Sequence, residues 1–294
     1  MPKFPCRPWL LIAALACLVA APPAAAGAER ISLRVSNGWS LVAPREYNDF
    51  MLDFPRSYDA IVGVGISRET TRTIRWAQEF ELTVDIPLRS GLIVSASAGL
   101  LGASSEGNLF AVEWGTVTEE FTRDDRVRAV VARLGLTYVI PLTGKLSLRP
   151  HAGLDGYWSS FEDAGTRTET YAVGGSDQIQ AWTADTHAFN LGWTAGVALD
   201  WAVFGRLGLI LDAGYRRAKL SGFTGRYEET YYGEPQGARD FTLLYFEEYV
   251  DYLQTTYKRF NLPGGWSGGV ITVVHDAVID LSGFFLKIGL RVSF

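Results

Sequence analysis

Apolar and polar residues alternate with a period of two in separate stretches of the chain, most completely between Asp280 and Phe294. The apolar positions of this stretch are Phe284, Leu286, Ile288, Leu290, Val292 and Phe294. The positions between them are polar or small, apart from Phe285. Because successive side chains of a strand point to opposite faces, this stretch is predicted to be a β-strand with one apolar face.

Seven further segments show the same alternation, which predicts an all-β protein. They are Ile31 to Val42, Ile74 to Leu88, Gly91 to Ala103, Val127 to Leu142, Lys145 to Trp158, Ala188 to Val203 and Leu207 to Leu220. Each has about the length of a tilted strand that crosses a membrane. Aromatic residues lie near the predicted strand ends, where rings with a polar tip favour the headgroup region of a bilayer.

The connections alternate between short and long, which indicates the topology. The short ones, rich in Pro and Gly, are Pro87 to Gly91, Pro141 to Lys145 and Ala202 to Arg206. The long polar ones, predicted to be loops, are Ala43 to Thr73, Ser104 to Arg126, Ser159 to His187 and Ser221 to Ile279. Short turns on one side and long loops on the other are typical of a transmembrane, antiparallel, up-and-down β-barrel. Both termini are then predicted to lie on the short-turn side, in the periplasm.

Residues 1–28 are predicted to be a secretory signal peptide. Lys3 and Arg7 give a basic start, an apolar stretch follows, and Ala26-Gly27-Ala28 is a small-residue cleavage site. Residues 29–294 are then the barrel domain. Because Cys6 and Cys17 both fall in the signal peptide, no disulfide or Cys-based metal site is expected in the mature protein.

The charge balance and the apolar content narrow the class further. The chain has 27 basic and 32 acidic residues, and this acidic balance argues against nucleic acid as a partner. After the predicted signal peptide, no apolar run reaches the roughly 18 residues of a spanning helix. Nine Trp residues and frequent Gly residues accompany the short alternating segments. This combination indicates a barrel in the bacterial outer membrane, in contact with outer-membrane lipid.

The final stretch resembles the C-terminal strand of bacterial outer-membrane β-barrels, with its apolar face and terminal Phe294. The alternation, the loop asymmetry and Phe294 together resemble the small outer-membrane barrel superfamily that includes the OmpA transmembrane domain, OmpX and OmpW. The resemblance implies that Phe294 is an assembly signal and that the barrel-assembly machinery is a partner. It implies an architecture and no particular activity.

The segment from Ser221 to Ile279 is longer than a passive connection usually is. Within it, Phe241 to Phe260 shows aromatic and aliphatic residues at helical spacing. Three interpretations follow: an amphipathic surface helix, strands that extend above the membrane, or an extra hairpin. Eight strands are therefore the main prediction, and ten strands the alternative.

Charged residues of both signs recur on the face predicted to point into the barrel, where lipid is avoided. This predicted lumen charge network contains Arg34, Glu79, Glu81, Arg133, Arg149, His151, Asp155, Asp212, Arg216, Lys287 and Arg291. Side chains just fill the interior of an eight-stranded barrel, so the network is predicted to be a paired plug. The alternative is a gated pore or a proton path.

Catalytic, cofactor and metal sites are not predicted. Three histidines, His151, His187 and His275, are the candidate bases for a lipid-modifying enzyme, and none stands in a His-x-Ser pair. The main hypothesis is a non-enzymatic protein that acts through its external loops, by binding an unidentified external ligand or by a structural role in the envelope. The alternatives are a narrow channel for small solutes and a lipid-modifying outer-membrane enzyme.

Overall fold

The computed structural model describes residues 30–62, 65–89, 91–250, 255–260 and 270–294. The predicted signal peptide and both cysteines lie outside the described residues. Eight strands pair antiparallel, each with its two neighbours, in a closed ring. In ring order they are β1 (Ser32–Val42), β3 (Trp76–Arg89), β4 (Leu92–Trp114), β5 (Val117–Tyr138), β7 (Leu146–Tyr171), β8 (Ser176–Phe204), β9 (Leu207–Arg217) and β17 (Gly283–Ser293). The predicted all-β antiparallel barrel is confirmed.

The ring closes between its first and last strands, and the short connections lie where the alternation predicts them. Ser32 pairs with Ser293, and Val42 pairs with Gly283. The N–H of Ser293 donates to the carbonyl of Arg206 in the β8–β9 turn. This hydrogen bond places the end of β17 at the short-turn end of the barrel. We call the opposite end of the barrel the upper end.

The outer wall carries a broad band of exposed apolar side chains, and the inner wall is polar at the same level. In β5 the exposed side chains run from Val130 through Leu134 and Leu136 to Tyr138. The positions between them, Arg133 and Thr137, point inward. The band therefore matches the roughly 9–11 residues of a membrane strand.

Four strands continue well beyond this band, and there the alternation is inverted. On β5, Arg128 faces outward, whereas Val127 and Ala129 are buried inside. The predicted loops Ser104 to Arg126 and Ser159 to His187 are therefore wrong, since β4 and β5 continue to a turn at 115–116 and β7 and β8 to one at 172–175. The physical reason is that this upper part buries its own apolar interior, as a water-soluble barrel does.

The predicted loop Ala43 to Thr73 is also wrong, because it contains helix α1 (Arg45–Val62) followed by β2 (Ile66–Thr70). Pro44 precedes the helix, and its carbonyl accepts the first helical hydrogen bond, from the N–H of Asn48. Tyr47, Phe50 and Met51 are buried in the upper interior, with Phe54 packed against them. Their i, i+3, i+4, i+7 spacing forms one apolar face, which lies across the upper opening.

The segment after β9 forms strands outside the ring, so the surface-helix interpretation of Phe241 to Phe260 is wrong. Two hairpin strands extend the sheet beside β8, and three more form a separate sheet; short two-residue pairings complete the set. They are β10 (Lys219–Leu220), β11 (Thr224–Tyr231), β12 (Glu234–Thr242), β13 (Leu244–Val250), β14 (Thr255–Phe260), β15 (Val270–Asp276) and β16 (Ile279–Asp280). A further two-residue strand, β6 (Ile140–Pro141), pairs with β7 near the short turn between β5 and β7. Pairing of β13 with both β14 and β15 satisfies its backbone as a strand. No helix of the described chain is long and apolar enough to cross a membrane.

Candidate functional site: the charged lumen and its helical cap

All eleven side chains of the predicted network lie on the inner wall of the barrel, where they are buried or nearly so. Two further carboxylates, Asp85 and Asp200, complete the network. The alternation of their strands places both on the inward face, and both contact arginines of the predicted network. Six cations thus face six carboxylates: Arg34, Arg133, Arg149, Arg216, Lys287 and Arg291 against Glu79, Glu81, Asp85, Asp155, Asp200 and Asp212.

The centre of the network is a pair of glutamates on one strand, β3. Glu81 accepts from Lys287 Nζ at 2.7 Å and from Arg133 Nη1 at 2.7 Å. Glu79 accepts from Arg216 Nη1 at 2.7 Å, and the same guanidinium donates to the Ser40 hydroxyl. These contacts join β3 to β5, β9 and β17, so the centre ties together strands from all sides of the ring.

Asp155 and Asp212 extend the network across the lumen. Asp155 accepts from Arg133 Nε at 2.6 Å, from the Tyr157 hydroxyl at 2.8 Å and from the Thr194 hydroxyl. Asp212 is 2.8 Å from His151 Nε2. Each buried carboxylate therefore has a close polar partner, which offsets the loss of its water.

The short-turn end of the lumen is closed by a second pair of acids. Asp85 accepts from Arg34 at 2.9 Å and from the Ser95 hydroxyl at 2.7 Å. Asp200 lies 2.6 Å from Arg149 and 2.7 Å from Arg291. A cavity of about 20 Å³ remains beside Arg34, Ser95 and His151, which is room for about one water molecule. Side chains thus fill this part of the barrel.

Above the charges, the interior is apolar and is closed by α1. The enclosed residues include Leu101, Val127, Phe161 and Phe223, and they pack with Tyr47 and Phe50 of the helix. Sequence reasoning missed this chamber because it treated the inverted parts of the strands as loops. The spacing of Tyr47, Phe50, Met51 and Phe54 was a signal that could have indicated the helix.

A second buried charge cluster anchors the cap. Arg123 lies 2.9 Å from Asp125 and 3.1 Å from Asp163, with its guanidinium 4.6 Å from the centre of the Phe50 ring. The Tyr47 hydroxyl donates to Asp125 at 2.7 Å. Burial raises the pKa of the Tyr47 hydroxyl well above its usual value, and the neighbouring Asp125 raises it further. Tyr47 therefore stays a hydrogen-bond donor that holds the helix to the wall.

Asp163 is expected to keep its proton at neutral pH and to make cap stability depend on pH. Burial raises the pKa of this carboxyl to about 8, despite the opposing charge of Arg123. A raised acid pKa favours the folded form below the unfolded value of about 4, so cap stability should fall as pH rises from about 4 to about 8. Hydrogen exchange of α1, corrected for intrinsic rates, should show higher protection at pH 5 than at pH 8.5. Asp163→Asn should remove most of this difference, and an unchanged pH dependence in that variant would contradict the assignment.

The outer side of the cap is joined to the external sheet by two acidic residues of α1. Asp49 accepts from Lys258 Nζ on β14 at 2.6 Å. Glu46 accepts from the backbone N–H of Val278 at 2.9 Å. The cap is thus held from below by the barrel and from above by the external strands.

Within the described chain, the three histidines lie in separate places. His151 belongs to the lumen network, and His275 lies 3.9 Å from Glu46. His187 is 3.5 Å from Asp185 on the outer wall, and its cross-strand neighbour is Ser160. Among the residues that the structure describes, no hydrogen bond joins the Ser160 hydroxyl to His187, and no group of three or more His, Asp or Glu side chains is placed to hold a metal.

The comparisons with known proteins add a likeness to solved structures. No protein-family model matches the sequence, and no curated protein matches it. Among solved structures, a major outer membrane protein from Thermus thermophilus is similar at 12% sequence identity and a TM-score of 0.38, over 90% of this chain and 100% of that chain. The barrel assignment therefore rests on the strand pairing itself: the class is a closed antiparallel β-barrel with a charged lumen and a helical cap.

Proposed function

We propose that this chain is a bacterial outer-membrane β-barrel protein with a plugged lumen, which acts without catalysis through the structure above its upper end. The main observation in support of a plugged lumen is the balanced network of six cations and six carboxylates, which fills the lumen beneath the cap. The band of exposed apolar side chains on the outer wall supports placement in a bilayer. In this placement the short turns lie on the periplasmic side, together with Ser32 of β1 and Ser293 of β17.

The surface available for binding is the upper end. The hairpin tips expose Tyr171, Val173, Tyr231 and Tyr232. Tyr232 and Gly233 have positive φ angles of 49° and 80°, as a tight two-residue hairpin turn requires. Rigid tyrosines presented on a stable scaffold suit the binding of a surface ligand.

Single-channel recording in a planar bilayer tests the plug. The folded protein, verified by a heat-dependent shift in gel mobility, is expected to give no discrete conductance steps, because the ion pairs fill the lumen. The charge-balanced variant Arg133→Ser, Glu81→Ser removes one cation and one anion from the centre and should conduct. Reproducible steps from the unmodified protein would instead support the narrow channel, and a missing gel shift would count against the membrane barrel.

A further inference from the structure

The outer wall of the barrel carries an open groove of about 1180 Å³ across β1, β3, β4, β5, β7 and β8. Its floor is apolar. Leu100, Val130, Trp158 and Phe189 are successive cross-strand partners there and form one continuous row. Trp76 and Phe80 extend the apolar surface at one end. The floor offers a surface on which hydrocarbon chains can lie.

The next row toward the upper end has two small residues, Gly102 and Ser160, on either side of Arg128. In that row Gly102 pairs with Arg128, and Arg128 pairs with Ser160. A Cβ built on Gly102 would meet one atom within 4 Å, the Val127 carbonyl oxygen at 3.9 Å. The wall therefore lacks a side chain at Gly102, and this position has room for a Cβ.

The rim of the groove holds arginines next to carboxylates. Arg126 lies 2.8 Å from Glu106, and Arg128 lies 3.4 Å from Glu162. All four side chains are partly exposed, and exposed pairs of this kind contribute little stability. The guanidiniums can therefore exchange a carboxylate for a phosphate, which they bind in a two-pronged geometry. The carboxylates that they leave are acceptors for hydroxyl groups.

Two amide side chains lie on the same wall, at the apolar end of the groove. Asn37 and Gln78 face outward there, beside Phe80 and Gly102. Among the described residues, neither amide makes a side-chain hydrogen bond. An amide on a lipid-facing wall is unfavourable without a partner, because hydrocarbon offers none. A ligand with carbonyl groups between its head group and its chains would supply one.

We propose that this groove binds a glycolipid whose sugar head group carries phosphate. The phosphate lies at Arg126 and Arg128, the sugar hydroxyls reach Glu106 and Glu162, and the acyl chains lie along the apolar row. The carbonyl groups that link the chains to the sugar face Asn37 and Gln78. This inference rests on the proposed function, since it needs the apolar band to face a bilayer.

Native mass spectrometry of the full chain in detergent tests the proposal, with folding confirmed by the gel shift. The probe is bisphosphorylated lipid A, compared with dephosphorylated lipid A and with phosphatidylglycerol at equal concentrations. We expect lipid A to be retained most strongly. The double variant Arg126→Gln, Arg128→Gln should weaken its retention about tenfold or more, the effect of losing charge-assisted hydrogen bonds.

Two further variants separate binding from folding. Gly102→Trp fills the groove and leaves the rim charges in place, and it should also lower retention. Arg217→Gln alters an exposed arginine on β9 that does not line the groove, and it should retain lipid A as the unmodified protein does.

The outcomes are distinct. Equal retention by all folded variants, or equal retention of dephosphorylated lipid A, would overturn the phosphate site. Equal retention of phosphatidylglycerol would overturn the sugar head group. If the unmodified chain shows no gel shift, the membrane barrel itself fails, and the groove with it.

Discussion

Replacing Lys287 with methionine is expected to lower the free energy of unfolding of the barrel by about 3–5 kcal/mol. Its ammonium group is 2.7 Å from Glu81, 3.6 Å from Glu79 and 3.7 Å from Asp212, and the side chain is 3% exposed. Methionine has a similar shape, so the variant removes the charge and leaves the packing nearly intact. The lumen then holds one carboxylate too many, in a place where the side chains leave room for about one water molecule.

The measurement is urea unfolding of the protein in lipid vesicles, followed by the loss of the heat-modifiable gel band. Adding Glu81→Gln to the variant restores the charge balance and should recover most of the lost stability. Lys219→Met is the matched control, because Lys219 lies on the surface 3.8 Å from Asp280 and should change stability by less than about 1 kcal/mol. Similar small effects of Lys287→Met and Lys219→Met would show that water reaches the lumen charges.

Replacing Arg123 with methionine is expected to release the cap while the lower barrel stays folded. Arg123 is buried between Asp125 and Asp163 and supports the Phe50 ring of α1. Without it, the buried Asp125 carboxylate loses its cation and the Asp163 carboxyl loses a close polar neighbour, which destabilises this part by about 3–5 kcal/mol. The lumen network does not include Arg123, so the loss should remain local.

Hydrogen exchange of backbone amides measures the stability of the cap and of the lower barrel separately. Protection of α1 should fall strongly in Arg123→Met, with protection of β9 and β17 unchanged and the gel shift retained. Arg128→Met, an exposed arginine on the same strand, serves as the control for loss of charge. A cap that stays protected in Arg123→Met would mean that apolar contacts of Tyr47, Phe50 and Met51 suffice to hold it.

The part of the fold at the level of the apolar band could be predicted from the sequence. Each strand there has one face toward an apolar environment and one toward a polar interior, so apolar and polar residues alternate along it. The exposed row Val130, Leu134, Leu136 on β5 and its inward partners follow directly from the alternation. The inward charges follow from the same rule, since lipid excludes them. This is why all eleven predicted network residues lie inside.

The upper part could not be predicted in the same way, because its alternation changes sign. Val127 and Ala129 of β5 point inward, on the face that Arg133 and Thr137 share lower down. A prediction that requires apolar residues on the outer face does not recognise such a stretch as a barrel strand, and assigns it to a polar loop. Helix α1 was missed for a related reason. The sequence shows the apolar spacing of Tyr47, Phe50, Met51 and Phe54, but it does not show the barrel opening that this face covers.

The partners in ion pairs between strands are still harder to predict from the sequence. The pairing of strands around the ring decides which side chains meet. It decides, for example, that Asp155 accepts hydrogen bonds from Arg133, Tyr157 and Thr194, and that Arg123 lies between two aspartates. Alternation gives the face of each residue, but not which residue it meets across the lumen. A shift of two residues in one strand would keep every face and change every pair.

The seam between β1 and β17 constrains the order in which the barrel can form. Strand β1 leaves the ribosome first among the described strands, yet its ring partner β17 is made after all the others. Until β17 arrives, the sheet has two open edges, each a template for pairing with another chain. Contacts this distant in sequence also form slowly. The nascent chain therefore needs protection from aggregation until its last strand is available.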